Sequence, residues 1–276
     1  MSGLVSLSQT LIETLYIGDG ILFLPFFTTR DARQLRGVCR EFRVLVTNFP
    51  WDDRADESRV AARAGAVELW RLCFPSAVAC TLWQGQSVDN PHVTDADLVL
   101  LRGVRYLNMG GCTHVTNAGV DRVLEGQHLQ TFKCQRVTCM TDALFANLVG
   151  IQMLDMSGCS EETITDAAFA HLAGIHTLYM DNCNQTTITD AAFAHLAGID
   201  TLDMSRCNQA TITDAAFAHL AGIDALYMNG CNQATITDAA FAHLAGTHTL
   251  YMNGCNQATI TDATFAHLAG ICTLIR

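Results

Sequence analysis

The chain has 276 residues, half of them apolar and only 16% charged, with a mean hydropathy of +0.21. This composition is too apolar for a disordered protein, and the length allows one or two domains. The net charge of −11 disfavours binding to nucleic acid and to anionic membrane surfaces. The longest apolar run covers only residues 21–27, whereas a membrane-spanning helix needs about 20 apolar residues, so we expect no such helix and no membrane partner.

The N-terminus and the cysteines predict the cellular compartment. No basic cluster precedes an apolar stretch at the N-terminus, which disfavours a secretory signal. Twelve cysteines are present, but their even spacing along a long chain does not indicate the disulfide framework of a small secreted protein. We therefore expect reduced cysteines and a soluble protein of the cytoplasm or nucleus.

Charge and proline both divide the chain into differently built parts. From residue 151 onward the net charge is −10, whereas the first 150 residues carry −1. All four prolines lie within the first 91 residues. We expect a helical module over residues 1–54, a helical joint over residues 55–92 that caps the following array, and repeats over residues 93–276. A helix is predicted over residues 58–74, inside the joint.

A helix with one apolar face is predicted in the N-terminal module, and the side chain of Asp31 can cap it. Apolar residues of the preceding stretch are expected to pack against that face. The six apolar side chains of this pairing are Ile21, Leu24, Phe27, Leu35, Val38 and Phe42. In the simplest interpretation, these helices only seal the first coil of a repeat array.

The order of residues in this segment also resembles the F-box, a short helical module of substrate receptors. The matching residues are Asp31, Leu35, Val38, Cys39, Arg40, Phe42, Leu45, Val46 and Trp51. The opening Leu-Pro of the F-box pattern is replaced by Leu15 and Tyr16, and Pro25 falls where the first helix of the module is expected. The resemblance implies that the six apolar side chains named above bind a Skp-family adaptor of a cullin ligase.

From residue 93 onward a sequence unit of about 24 residues recurs, with looser copies before residue 142. Six aspartates stand at equal intervals along the chain: Asp142, Asp166, Asp190, Asp214, Asp238 and Asp262. In each unit Leu and Met alternate with polar residues, as in a strand with one buried face. Thr189 or Asp190 can then cap a short helix that ends at Gly198. One strand and one helix in every unit predict a solenoid. Eight strands are predicted to begin at Val104, Leu129, Ile151, Ile175, Ile199, Ile223, Thr247 and Ile271.

These units resemble the leucine-rich repeat family in its cysteine-containing subtype, with the pattern L-x-x-L-x-L-x-x-C followed by I-T-D. The cysteine position is held by Cys112, Cys159, Cys183, Cys207, Cys231 and Cys255, with Val137 in one unit. The resemblance covers about residues 93–276. It implies an α/β leucine-rich repeat solenoid, a horseshoe with a parallel concave sheet and short helices on the convex side.

Two ladders of reactive side chains recur with the repeats. The cysteines lack the closely spaced pairs that bind zinc, so we interpret them as small buried residues between coils. The histidines lie two residues after a buried phenylalanine, on the outer face, and we interpret them as solvated rather than metal-binding or pH-sensing. They are His171, His195, His219, His243 and His267.

Motifs of catalysis and cofactor binding do not occur in the sequence. There is no G-x-S-x-G, no phosphate-binding glycine loop and no H-E-x-x-H. A Ser or Cys nucleophile also needs a positioned base, and the pattern suggests none. We expect no enzymatic activity, no catalytic residue, no metal and no cofactor.

The predicted target site is the concave face, where the outward residue between Leu and Met recurs as a column. This column consists of Asp155, Tyr179, Asp203, Tyr227 and Tyr251. Tyrosine is enriched at binding hot spots, and the surrounding carboxylates, among which Arg206 is the lone cation, favour a basic target protein. The alternative is that duplication copied Tyr and Asp as residues that a strand tolerates.

Together the two resemblances imply the substrate-recognition subunit of a cullin–RING ubiquitin ligase, which holds a target and performs no chemistry itself. One alternative is a non-enzymatic binding scaffold whose N-terminal helices act only as a cap. A more distant one is a decoy or inhibitor without a partner enzyme. Because no capping segment follows the predicted strand at Ile271, we also expect dimerisation through the C-terminal end.

Overall fold

The computed structural model describes residues 44, 46–51, 60, 62–82, 89–126, 128–268 and 270–276. The predicted adaptor-binding face lies outside these residues, and its members are Ile21, Leu24, Phe27, Leu35, Val38 and Phe42. Among the described residues, no helix combines the length and the apolar character needed to cross a membrane.

The described residues form one parallel sheet of nine strands, in which each strand pairs with the next in chain order. The strands are short, and the central residue of each pairs with its equivalent in the next coil, as Leu202 does with Leu226. This residue is Leu in all the strands except β1 and β3, where it is Cys80 and Phe132. The bounds are β1 Ala79–Thr81, β2 Tyr106–Asn108, β3 Thr131–Lys133, β4 Met153–Asp155, β5 Thr177–Tyr179, β6 Thr201–Asp203, β7 Ala225–Tyr227, β8 Thr249–Tyr251 and β9 Thr273–Ile275.

A short helix precedes each strand. They are α1 Ala66–Cys73, α2 Asp95–Val99, α3 Asn117–Leu124, α4 Asp142–Phe145, α5 Asp166–Phe169, α6 Asp190–Phe193, α7 Asp214–Phe217, α8 Asp238–Phe241 and α9 Thr264–His267. Each of α4 to α8 continues into a single 3-10 turn, and after α6 the chain turns at Gly198, which has a φ of 83°. Helix α1 is shorter than the helix predicted over residues 58–74, because Gly65 adopts a φ of 71° directly before it.

Each coil adds the same apolar side chains to one continuous core. In the coil of β6, Leu202, Met204, Cys207, Ile212 and Phe217 are all 0% exposed. Burying one such Leu, Ile, Met or Phe side chain stabilises a fold by about 1.5–3 kcal/mol. The core therefore grows along the solenoid axis, and each coil is stabilised chiefly by its two neighbours.

A second set of interactions joins the coils through their polar edge. Each aspartate that begins a helix accepts hydrogen bonds from the backbone N–H and the hydroxyl of a threonine in the next coil. Asp190 bonds Thr213 in this way, with both distances at 2.7 Å. We call these contacts the Asp–Thr ladder, and its pairs are Asp95–Thr116, Asp142–Thr165, Asp166–Thr189, Asp190–Thr213, Asp214–Thr237 and Asp238–Thr261.

The same threonines cap the helices, so each performs two tasks. The Thr189 hydroxyl accepts a hydrogen bond from the Ala191 N–H at 3.2 Å while it donates to Asp166 at 2.7 Å. At the far end of the ladder, the hydroxyls of Thr261 and Thr264 hold the pKa of Asp238 below its usual range. Folding thus favours the ionised carboxylate of Asp238, and that contribution is lost as the pH falls through its depressed pKa.

The N-terminal end of the solenoid is sealed by a tryptophan. Trp51 is 0% exposed, its indole N–H donates to the Val46 carbonyl at 2.8 Å, and its ring packs edge-on against Phe74. The Trp51 carbonyl oxygen accepts hydrogen bonds from the backbone N–H groups of Val78 and Ala79. In the same way, the Val78 carbonyl oxygen accepts hydrogen bonds from two backbone N–H groups of the next coil. Trp51, the last residue of the F-box-like match, is therefore hydrogen-bonded directly to the first coil.

We expect Asp214→Ala to lower the free energy of unfolding by about 1.5–3 kcal/mol, the range for a hydrogen bond to a charged group. The variant leaves the Thr237 N–H and hydroxyl without their acceptor. Denaturant unfolding measures the change. The control is Asp224→Ala, an exposed carboxylate that accepts no hydrogen bond within the described part of the chain, and it should shift stability by no more than about 0.5 kcal/mol. Equal effects of the two variants would contradict the role of the ladder.

Candidate functional site

The structure places the predicted column on one face of the sheet. Asp155 pairs with Tyr179, Tyr179 with Asp203, Asp203 with Tyr227, and Tyr227 with Tyr251, one residue from each of five neighbouring strands. All five side chains are partly exposed, whereas the central Leu of each strand is buried. We call these five residues the concave row.

Two tyrosines at the C-terminal end of the row stack on each other. The ring centroids of Tyr227 and Tyr251 are 4.8 Å apart, and the ring planes differ by 17°. Tyr179 stands apart from this pair because Asp203 lies between them in the register. Burial raises the pKa of the Tyr179 hydroxyl, so this group remains a neutral hydrogen-bond donor near neutral pH.

The two aspartates of the row accept different numbers of hydrogen bonds. Asp155 accepts from the Gln135 side chain at 2.5 Å and from the Ser157 N–H at 3.1 Å. Burial is the largest influence on the Asp155 carboxyl and raises its pKa. Asp203 accepts from the Ser205 N–H at 2.9 Å through Oδ1. Its Oδ2 accepts no hydrogen bond from the residues that the structure describes.

A groove with a volume of about 710 Å³ runs beside the row from β3 to β6. It contains two basic side chains that the sequence analysis did not assign to a site, Lys133 and Arg136, and also the predicted lone cation Arg206. Arg206 donates to both carboxylate oxygens of Asp181, at 3.0 Å and 2.5 Å. Lys133 occupies the same position in β3 that Asp155 occupies in β4. This equivalence within the repeats could have extended the predicted site to β3.

The turn that borders the groove has an uncommon backbone conformation. Arg136, Asn182 and Arg206 have φ values of 59°, 57° and 57°, and they are the only non-glycine residues with positive φ in the described part of the chain. The equivalent position in other coils is glycine, for example Gly158 and Gly230, at 71° and 67°. A non-glycine residue in this region costs about 1–2 kcal/mol, so the groove concentrates backbone strain.

The cysteine ladder lies away from the concave face, in the core. The thiols of Cys183, Cys207 and Cys231 donate to the Met carbonyl of the preceding coil at 3.3, 3.1 and 3.1 Å. Burial raises the pKa of Cys207 to about 12, and it also raises the pKa of Cys183. The predicted role as small buried residues is confirmed for these thiols.

The histidine ladder occupies the outer face, as predicted. His195, His219, His243 and His267 are exposed, and His171 is half-buried. Within the described residues, no three His, Cys, Asp or Glu side chains are grouped closely enough to hold a metal ion. The candidate site that remains is therefore the concave row with its groove.

We expect the ladder cysteines to react slowly with a thiol reagent such as iodoacetamide in the native protein. Burial and the raised pKa leave Cys183 and Cys207 with almost no thiolate near neutral pH. Exposed Cys272 serves as the internal control and should be modified first. Mass spectrometry of time points locates each label, and labelling of Cys207 as rapidly as Cys272 would contradict the packing described above.

No known family model matches the sequence, and no curated protein matches it. Similar solved structures do exist. A chain of the TLR13–ssRNA13 complex is 15% identical, with a TM-score of 0.57, and the match covers 79% of this chain and 30% of that one. A chain of the yeast Rad7–Elc1 complex is 13% identical, with a TM-score of 0.52 over 99% of this chain and 80% of that one. Human 5T4 is 17% identical, with a TM-score of 0.51, and the match covers 63% of this chain and 70% of that one.

These likenesses define the class of fold. Nine parallel strands with short helices between them, together with such neighbours, identify an α/β leucine-rich repeat solenoid, as predicted from the repeats. The chain spans 30% of the TLR13 chain, the first of these structures. At 13–17% identity these likenesses establish the fold and not the function, which depends on the residues of the site.

Proposed function

We propose that the protein is a non-enzymatic receptor that holds a target protein on the concave face of its leucine-rich repeat sheet. The observation that carries this proposal is the stacked pair Tyr227 and Tyr251 beside Asp203. The strands that carry these side chains are fixed by core packing below them, so little conformational entropy remains to be lost on binding. Tyrosine also offers both apolar area and a hydroxyl group to a partner.

The charge of this surface favours a target with basic side chains. A Lys or Arg of the target can lie over the face of Tyr227 or Tyr251 and reach the Oδ2 atom of Asp203, which accepts no hydrogen bond within the described part of the chain. The net charge of −10 after residue 150 steers such a partner toward the sheet at low ionic strength.

The finer proposal concerns the partner at the N-terminal end. We propose that residues 1–54 bind a Skp-family adaptor, so that the protein serves as substrate receptor of a cullin–RING ubiquitin ligase in the cytoplasm or nucleus. The F-box-like residue order supports this proposal. The likeness to a chain of the Rad7–Elc1 complex over 99% of this chain supports it further, because that solenoid fold occurs in a two-protein complex. The receptor would contribute proximity, and a partner enzyme the chemistry.

One observation favours the alternative of a binding scaffold without a ligase. Trp51 and Val46 are both 0% exposed, and Trp51 hydrogen-bonds to the first coil through its carbonyl. A simple N-terminal cap needs these contacts and nothing more. The two functions share the concave face and differ only in whether an adaptor binds the N-terminal module.

The concave face is tested by the double variant Tyr227→Ala and Tyr251→Ala. We expect it to lower the affinity for a purified target by about 2 kcal/mol, roughly 30-fold in Kd, with an unchanged melting temperature. The target is first captured from cell extract, and its Kd is then measured by titration calorimetry. The control is His195→Ala with His219→Ala, on the outer face, which should leave the affinity unchanged. Affinity that survives the Tyr variant and does not weaken with salt would contradict the concave site.

The adaptor is tested by co-purification of the full chain with a recombinant Skp-family adaptor. Leu35→Asp with Val38→Asp should abolish the association, since charges are costly in an apolar interface. The control is Leu72→Asp, at a leucine that is 68% exposed on α1, and it should retain the adaptor. A folded wild-type chain that binds no adaptor would exclude the ligase and leave the scaffold function standing.

A further inference from the structure

The groove beside the concave row carries positive charge at its β3 end. Lys133 and Arg136 are its basic residues there, and neither forms an ion pair with a carboxylate in the part of the chain that the structure describes. The Lys133 ammonium lies 5.8 Å from the centroid of the Tyr106 ring. Arg136 is exposed, and its stem passes over Gly158. This end of the groove therefore offers two cations to an acidic group.

The opposite end of the groove carries negative charge. Asp203 on β6 accepts one hydrogen bond, through Oδ1, and keeps Oδ2 available. Asp155, nearer the middle, has both oxygens occupied by Gln135 and Ser157. Arg206 and Asp181 neutralise each other through their paired hydrogen bonds. The groove is thus bipolar, with cations at β3 and an available carboxylate oxygen at β6.

The strained turn residues point to a use for this arrangement. Every non-glycine residue with positive φ in the described ranges, Arg136, Asn182 and Arg206, lines this one groove. Glycine fills the same position in other coils without strain. Strained backbone conformations are held in place by the surrounding structure and cluster at binding and active sites, and here two of the three residues are arginines.

We propose that the groove binds an extended segment of the target that carries an acidic residue and a basic residue about four positions apart. The acidic side chain pairs with Lys133 and Arg136, and the basic side chain pairs with Asp203. Lys133 and Asp203 are three strands apart in register, which corresponds to about 14 Å at the usual strand spacing and to about four residues of extended chain. The inference rests on the proposed concave function and specifies the kind of segment bound there.

A displayed library of random ten-residue peptides, selected on the full chain, tests the inference. We expect the selected peptides to share an acidic and a basic residue at this separation. Lys133 is the only lysine, so carbodiimide coupling of a bound peptide should join its acidic side chain to Lys133, as mass spectrometry can show. Arg136→Gly should weaken peptide binding at least tenfold without lowering the melting temperature, since glycine suits that φ. Asn182→Gly is the matched control, because it relieves the same strain without removing charge.

The basic contact is tested by charge complementation. Replacing the basic residue of a selected peptide with Glu should weaken binding to the wild type at least tenfold, and Asp203→Lys should restore it. Selected peptides that lack opposite charges, or that bind Arg136→Gly unchanged, overturn this inference and leave the proposed function intact. Peptides that carry only an acidic residue and are displaced by inorganic phosphate show a simple anion site and also overturn it. The proposed function fails separately, if the variant at Tyr227 and Tyr251 keeps its affinity for the target.

Discussion

The hydrogen bond between an aspartate of one coil and a threonine of the next determines how the solenoid is assembled. Apolar packing alone allows neighbouring coils to slide, because Leu, Met and Phe contacts have no fixed direction. The paired bonds from Thr213 to the two oxygens of Asp190 do have a direction, and the ladder repeats them along the array. These bonds act together with the backbone hydrogen bonds that pair the strands residue for residue, so side chains from separate coils meet in one row.

Register is also what brings equivalent residues of successive repeats together on one face. Tyr227 and Tyr251 hold the same position in two successive units of the chain, and their rings stack only because β7 and β8 pair residue for residue. The same pairing places Lys133 opposite Asp155 and so fixes the order of charges along the groove. The pairing of the strands thereby sets the geometry of the concave face.

The constant period of the repeats was enough to predict the solenoid, the buried cysteines and the concave row, because position within a unit determines which face a residue occupies. Strand β1 was not predicted, since Cys80 occupies the place that Leu107 holds in β2 and the leucine pattern is missing there. The sequence suggested that Thr189 or Asp190 caps a helix. The structure divides these roles, with Thr189 capping and Asp190 bonding the next coil. The groove depends on turn dihedrals at Arg136 and Arg206, which no periodicity encodes.

The near-identical repeats differ chiefly in the strand and the turn that follows it, and not in the outer segment. The outer segment Asp-Ala-Ala-Phe-Ala-His-Leu-Ala-Gly is the same in the four coils that begin it at residues 166, 190, 214 and 238. In the same coils the row reads Tyr179, Asp203, Tyr227 and Tyr251, and the position before the cysteine holds Asn, Arg, Gly and Gly. Duplication alone copies both faces equally. The substitutions instead gather in the strands and in the turns that follow them, and at Arg206 the new residue adopts a positive φ, as expected if binding by this face has shaped the repeats.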